Sequence, residues 1–199
     1  MSPTLLRALV LTIAFAGLLS WVHTQTRDRI AMEQLHFEQS QLASVLPATS
    51  YDAPLKRATF SLPMTNSDHP SPVYLAYQGG QPKAALIEIT TSKGYSGDIK
   101  LLLAVSVEGV VLGVRVLEHK ETPGLGDAIE HTKSDWLNQF VGQERALGTH
   151  RRWRADRLGG DFDTLSSATI TSSAVIEAIA LGLDAYTIYR DQIWSSANE

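Results

Sequence analysis

The order of apolar and polar positions divides the chain into an apolar start, a mixed middle and a strongly patterned second half. Residues 5–22 form an apolar run whose only charged residue is Arg7. A helix of these 18 residues rises about 27 Å, close to the hydrocarbon thickness of a bilayer. Arg7 near one end and Trp21 near the other suit the two membrane interfaces. The pattern therefore predicts a transmembrane helix within an anchor of residues 1–27.

Two other interpretations of the apolar run are less well supported. A cleaved signal peptide would place small residues just after the apolar core, and residues 18–28 hold no such site. A buried globular helix would show a polar face, which the run lacks. Basic residues on both sides, among them Arg7 and Arg29, leave the orientation of the predicted anchor open.

The middle of the chain combines a weak helical pattern with a proline-rich stretch. Residues 28–46 carry apolar side chains at loosely helical spacing, which predicts a helix that Pro47 ends. Residues 48–71 hold several prolines and a polar cluster, which predict a loop with one short strand. We therefore expect residues 28–72 to connect the anchor to the domain that follows.

Alternating and continuous apolar runs then predict four β-strands. They are residues 73–77, 84–91, 99–107 and 110–117. Glycine-containing turns separate the first run from the second and the third from the fourth, so both pairs suit hairpins. Four consecutive strands of this kind predict a twisted antiparallel sheet with one covered face.

Helical spacing dominates the last part of the chain. A short helix is predicted at residues 126–137 and a long amphipathic helix at residues 173–194. The apolar stripe of the long helix consists of Val175, Ile179, Leu183, Tyr186, Tyr189 and Ile193. Packing of this stripe on the sheet would make residues 73–199 one α+β domain.

Composition removes several classes of site. The chain has no cysteine, which excludes disulfides, iron–sulfur clusters, thiol catalysis and cysteine-bound zinc. Its six histidines are scattered without the spacing of a metal site, and we find no catalytic triad. A net charge of −4 with one short basic cluster at residues 150–154 argues against nucleic-acid binding.

A segment rich in serine and threonine, residues 163–173, stands directly before the long predicted helix. A helix cap uses one or two hydroxyls, with Ser173 as the candidate, so capping leaves most of the segment unexplained. A helix N-terminus also offers free N–H donors and a partial positive charge to a phosphate. From local chemistry alone, a cap and a phosphate site both stay open.

Part of this segment carries a family resemblance. It consists of Ser166, Ser167, Ala168 and Thr169, followed by Thr171 and Ser172. The run resembles the Ser/Thr-Gly-Ala-Thr flavinylation motif of the FMN-binding domain in Rnf and sodium-pumping quinone reductase complexes. The resemblance implies that Thr169 is joined to FMN by a phosphoester, which a dedicated flavin transferase makes. Ser167 departs from the pattern, in which glycine is commoner.

A second stretch resembles the same domain. It comprises residues 94–97, which open the third predicted strand, and the six residues 121–126, which follow the last hairpin. The Pro-Gly pair at its centre would by itself indicate only an ordinary turn. The residues expected near the flavin ring are Glu121, Thr122, Gly124 and Leu125. Ser166, Ser167 and nearby backbone N–H groups are expected to hold the phosphate.

The order of these features resembles the G subunit of the Rnf complex, which is called Rsx in some bacteria. That subunit is related to the C subunit of the sodium-pumping NADH:quinone reductase. The resemblance implies a single-pass protein of the bacterial inner membrane with its C-terminal domain in the periplasm. It also implies an electron relay among the other integral and peripheral subunits of a complex that exchanges electrons between ferredoxin and NAD and moves ions. Such a chain transfers electrons within the complex and is not an independent catalyst.

Two interpretations of other classes stay open. One is a non-redox, membrane-tethered module that binds an anionic ligand reversibly at the same helix start. The other is a hydrolase with a hydroxyl nucleophile, which the lack of a partnered histidine in the local sequence disfavours. A covalent flavin would distinguish the electron carrier from both.

Overall fold

The computed structural model describes residues 45–46, 51–58, 61–63, 71–145 and 152–195, together with scattered positions between 3 and 26. The chain divides into two compact units, Met1–Ser40 and Gln41–Glu199. Most of the helix predicted at residues 28–46 lies outside the described residues. Its last two positions, Val45 and Leu46, form a turn.

Every described position between residues 3 and 26 is helical. Apolar side chains of this segment, among them Leu11, Phe15 and Leu19, are exposed. Among the described residues, no helix combines the length and the apolar character that crossing a bilayer requires. The predicted anchor at residues 5–22 therefore stays a prediction.

Five antiparallel strands form one sheet in chain order. They are β1 Asp52–Arg57, β2 Val73–Gln78, β3 Gln81–Thr91, β4 Ile99–Ser106 and β5 Val111–Glu118. The four strands predicted from apolar runs are confirmed, and β1 is the short strand predicted in the proline-rich stretch. Gly79 and Gly80 have φ values of +59° and +77°, which allows the tight turn between β2 and β3.

The sheet buries both faces, which differs from the single covered face that the strand pattern predicts. Side chains alternate along β3, so Ile87 packs in the cluster on one face and Leu86 in the cluster on the other. The turn at Val45 and Leu46 covers part of the second face. Gly113 permits this contact, because a Cβ atom there would lie 2.6 Å from the Val45 carbonyl oxygen.

The C-terminal helix, Thr169–Ser195, packs on the first face of the sheet. Its predicted apolar stripe is buried apart from Tyr189, which is partly buried. Gly182 allows a close approach, since a Cβ atom there would lie 2.3 Å from Ile89 Cδ1. The buried Tyr186 hydroxyl donates to the Ser106 carbonyl oxygen at 2.8 Å and ties the helix to the end of β4.

The prediction of a short helix at residues 126–137 is wrong. Two 3₁₀ helices, Gly126–Ile129 and Trp136–Phe140, take its place. The Ser134 hydroxyl donates to the Ala128 carbonyl oxygen at 2.5 Å. That oxygen would accept a backbone N–H in a continuous helix, so the serine side chain competes with the helix and interrupts it.

Candidate functional site

Thr169, the predicted flavin acceptor, is the first residue of the C-terminal helix and is half-buried. Ser166 and Ser167 form an exposed turn before it, while Ala168 is buried. A hydrogen bond of 3.0 Å from the Ala168 N–H to the Leu165 carbonyl oxygen closes the turn. The first amides of an α-helix lack partners within the helix, so the end of the helix at Thr169 offers N–H donors.

The helix begins four residues before the predicted start, and Ser173 lies inside it. Ser173, the candidate in the capping alternative, is therefore not the helix cap. The Ser172 hydroxyl and the Ser172 N–H each donate to the Ala168 carbonyl oxygen at 2.9 Å. The backbone bond forms the first turn of the helix from Thr169, and the side-chain bond satisfies the hydroxyl of Ser172, which is buried.

Glu121 lies buried at the centre of the site. The residue is 5% exposed, and its carboxylate oxygens face two different segments. Oε2 accepts the Thr171 hydroxyl at 2.6 Å, and Oε1 accepts the Ser96 N–H at 3.0 Å. Cβ atoms at Gly94 and Gly126 would each lie 2.9 Å from a carboxylate oxygen, so both glycines make room for it. The carboxylate thus holds together parts of the chain that are far apart in sequence.

Three segments meet at this carboxylate. They are the loop before β4 (residues 94–97), the loop after β5 (residues 121–126) and the first turn of the C-terminal helix. The Ser167 hydroxyl also donates to the Leu125 carbonyl oxygen at 3.4 Å. The Thr122 carbonyl oxygen accepts the Leu125 N–H at 3.1 Å, which keeps the loop after β5 compact. The structure therefore brings the predicted phosphate segment and the predicted ring segment together.

Sequence reasoning finds no separate role for Ser96, Tyr95 or Thr171. The sequence pattern groups Thr171 with the other hydroxyls before the helix, yet in the structure it reaches the Glu121 carboxylate, 50 positions away. Tyr95 stands in the loop before β4 with its side chain exposed. Only the resemblance of residues 94–97 to an FMN-binding domain indicates that this loop belongs to the site.

A charged cluster supports the loop after β5. Lys133 Nζ lies 2.8 Å from both Asp127 Oδ2 and Glu130 Oε1. His119 Nε2 lies 3.0 Å from Glu130 Oε1, while its Nδ1 accepts the Glu121 N–H at 3.1 Å. Because Nδ1 accepts a hydrogen bond, the ring proton is on Nε2 and points to the glutamate. The cluster thus fixes the backbone that leads into the loop.

Lysine contacts shift the pKa values of this cluster. The hydrogen bond from Lys133 lowers the pKa of Asp127, and the Gly124 amide adds to this effect. The same ammonium group, helped by His119, lowers the pKa of Glu130. The two carboxylates in turn raise the pKa of Lys133. These two carboxylates and the ammonium group are therefore fully ionised at neutral pH.

We expect acid to weaken the domain through this cluster. The ordinary pKa values are 3.8 for Asp127 and 4.5 for Glu130, and folding lowers both. Their stabilisation is complete above the ordinary values and is lost as pH falls through the lower, folded values. Urea unfolding midpoints measured from neutral pH down through this window should show the loss. Lys133→Gln should flatten it and Lys133→Arg should keep it, whereas an unchanged loss in Lys133→Gln would contradict the assignment.

Comparison with known proteins gives a family match over the same part of the chain. Residues 94–184 match the FMN-binding domain family. The matched range begins at the loop before β4, includes the loop after β5, and ends inside the C-terminal helix. All three segments that meet at the Glu121 carboxylate therefore lie within it.

Similar proteins match most of the chain, and each is the G subunit of an ion-translocating oxidoreductase complex. The chain is 37% identical over 182 residues to the Shewanella baltica protein, which covers 90% of this chain and 86% of that protein. The Yersinia pestis protein is 41% identical over 165 residues, with coverage of 82% and 79%. That of Pseudomonas aeruginosa is 38% identical over 180 residues, with coverage of 89% and 84%. The family predicted from the resemblance is confirmed, and the chain belongs to the family of G subunits of ion-translocating oxidoreductase complexes.

Proposed function

We propose that this protein is a membrane-anchored flavoprotein subunit of an ion-translocating oxidoreductase complex and relays electrons through FMN esterified to Thr169. One observation carries the proposal. Thr169 is half-buried at a helix start, inside the range that matches the FMN-binding domain, and Ser167 in the turn before it bonds to the loop after β5. Bound FMN supplies one- and two-electron chemistry, while the chain positions it and tunes its electronics.

The residues before the helix suit an esterified phosphate. The unpaired amides of the first turn and the positive end of the helix dipole attract a phosphate group. The Ser166 hydroxyl is exposed and can donate to a phosphate oxygen, and the Ser167 hydroxyl can do so by rotating away from Leu125. Ala168 carries no side chain long enough to obstruct the approach. In this arrangement Thr169 anchors the cofactor and has no acid or base role.

The loop after β5 is the proposed neighbourhood of the flavin ring. Thr122, Gly124 and Leu125 are exposed there. The buried Glu121 at the start of the loop ties it to the neighbouring segments. Gly124 has a φ of +78°, which favours glycine and leaves the backbone bare on this surface. An exposed backbone beside the apolar side chain of Leu125 suits a planar ring system.

Attachment needs one bond exchange at phosphorus. The Thr169 oxygen replaces the leaving group of an activated flavin nucleotide, and the hydroxyl proton and the leaving group depart. The protein gains FMN less one water. We propose that a flavin transferase catalyses this step.

The proposal also gives the chain a location and partners. Residues 5–22 would cross the bacterial inner membrane once, with the domain in the periplasm next to other integral and peripheral subunits. Exposed apolar side chains along the N-terminal helical segment, such as Leu11, Phe15 and Leu19, support a lipid-facing helix. A covalent bond keeps the cofactor at high local concentration where a dissociated flavin would be diluted.

In-gel flavin fluorescence tests the proposal. Protein produced in cells that contain the flavin transferase should stay fluorescent after denaturation, and protein produced without the enzyme should not. A reversible anion-binding module would carry no covalent flavin in either case. Colourless protein from transferase-containing cells would contradict the flavoprotein proposal and favour the module.

A further inference from the structure

We infer that Tyr95 packs against the isoalloxazine ring of the FMN proposed at Thr169, with Leu125 and Ile170 completing an apolar frame around it. The inference rests on the proposed function and names the residues that contact the ring. The inference gives the loop before β4 the role of positioning the flavin ring. This role is separate from the roles proposed for residues 166–169 and for the loop after β5.

Exposed apolar side chains concentrate at this site. Within the described part of residues 41–199, the large apolar side chains that are at least 46% exposed are Tyr95, Leu125, Val141, Leu158, Ile170 and Ile188. Three of these six belong to the segments that meet at the Glu121 carboxylate. Tyr95 is 70% exposed, Ile170 57% and Leu125 47%. A ring that covers them would remove apolar surface from water, which is favourable.

The loop before β4 holds Tyr95 in place. The Ser96 N–H donates to the buried Glu121 carboxylate at 3.0 Å. Gly94 is tightly enclosed, since a Cβ atom there would lie 2.3 Å from the Gly97 carbonyl oxygen. Gly97 itself has a φ of +127°, which disfavours other residues. The tight turn therefore fixes the backbone of Tyr95 while its side chain is exposed, so binding need not order this part of the loop.

The range of the family match supports the flavin as the group that covers these apolar side chains. The range that matches the FMN-binding domain begins at Gly94, the residue before Tyr95, while β1, β2 and β3 lie outside it. Ile170 directly follows the proposed attachment residue, and Leu125 contacts the turn before it through the Ser167 hydroxyl. A phenol ring and a flavin ring favour offset-stacked or edge-to-face contact.

Flavin fluorescence of the covalently loaded full-length protein tests the inference. A phenol in contact with the ring transfers an electron to the excited flavin and takes it back, so that the fluorescence is quenched without net reaction. Tyr95→Leu should therefore raise the fluorescence yield and lifetime several-fold. It should also increase quenching by iodide, because one face of the ring becomes open to solvent. Tyr95→Phe should raise the yield but keep the protection from iodide, since an aromatic ring remains.

Ile188→Ala provides the matched control. Ile188 is 71% exposed on the same helix but lies far along it from Thr169, so its removal should change neither fluorescence nor iodide access. Intact mass is recorded first for every variant. A missing flavin in the wild-type protein would refute the proposed function, whereas flavin present with identical lifetimes and iodide quenching in wild type and Tyr95→Leu would overturn only the inference. Unchanged flavin signals together with weaker assembly of the complex would also overturn it, and would assign Tyr95 to a protein partner.

Discussion

Thr169→Ala should abolish covalent flavin while the domain stays folded. The substitution removes the acceptor oxygen from the first residue of the C-terminal helix. Because Thr169 is only half-buried and alanine is a good helix former, stability should change by no more than about 0.5 kcal/mol. Co-production with the flavin transferase, followed by in-gel fluorescence and urea unfolding, measures both quantities on the same material.

Thr132→Ala is the control for this experiment. Thr132 is an exposed threonine of the same domain, in the turn between the two 3₁₀ helices. The variant should carry as much covalent flavin as the wild-type protein. Fluorescence retained by Thr169→Ala, or lost equally from both variants, would contradict the assignment of Thr169 as the acceptor.

Glu121→Ala should destabilise the domain by about 3 kcal/mol, the largest stability change that we expect at the site. The substitution leaves the buried Thr171 hydroxyl and the Ser96 N–H without the acceptors that they have now. Hydrogen bonds to charged groups are stronger than neutral ones, and a buried donor without a partner keeps its full desolvation cost. Urea unfolding of the flavin-free protein measures the loss.

Three further variants isolate the role of the carboxylate. Glu118→Ala, at the exposed end of β5, should change stability by no more than about 0.5 kcal/mol. Thr171→Val should cause part of the Glu121→Ala loss and Thr171→Ser should restore most of it, because serine keeps the donor. Equal stability of Glu121→Ala and the wild-type protein would show that the carboxylate does not hold the three segments together.

Much of the fold is predictable from the sequence because the pattern of side chains has the period of the element that it forms. The β3 and β4 strands pair without a register shift from Ala84–Ser106 to Thr91–Ile99. Their apolar runs predict the end of β3 at Thr91 and the start of β4 at Ile99, although β3 begins three residues earlier than predicted, at Gln81. The long helix is predictable for the same reason, through its buried stripe. Coverage of the second face of the sheet is not predictable in this way, because it depends on a distant turn at Val45 that packs on Gly113.

Side-chain hydrogen bonds explain where the sequence prediction is wrong. Ser134 interrupts a helix that its neighbours would permit, by bonding to the Ala128 carbonyl oxygen. Ser172 lies inside a helix that starts earlier than predicted, and its hydroxyl is satisfied there by the Ala168 carbonyl oxygen. Both serines have the same weak helix propensity, so the sequence alone does not show which hydroxyl will compete with a backbone bond and which will be satisfied within a helix.

The candidate site is predictable only in pieces. The Ser166–Thr169 segment and the loop after β5 each have a local signature, so sequence alone indicates both. Their meeting depends on a carboxylate that receives the Thr171 hydroxyl across 50 positions, and no local pattern encodes such a contact. The position of Tyr95 likewise depends on the hydrogen bond from the Ser96 N–H to that carboxylate.

Mass spectrometry of the natively produced protein tests the central claim most directly. Trypsin should release residues 158–190 as one peptide, because no lysine or arginine lies between Arg157 and Arg190. We predict that this peptide carries the mass of FMN less one water, and that fragmentation places the addition on Thr169. An unmodified peptide from cells that contain the transferase, or an addition on another residue, would contradict the account.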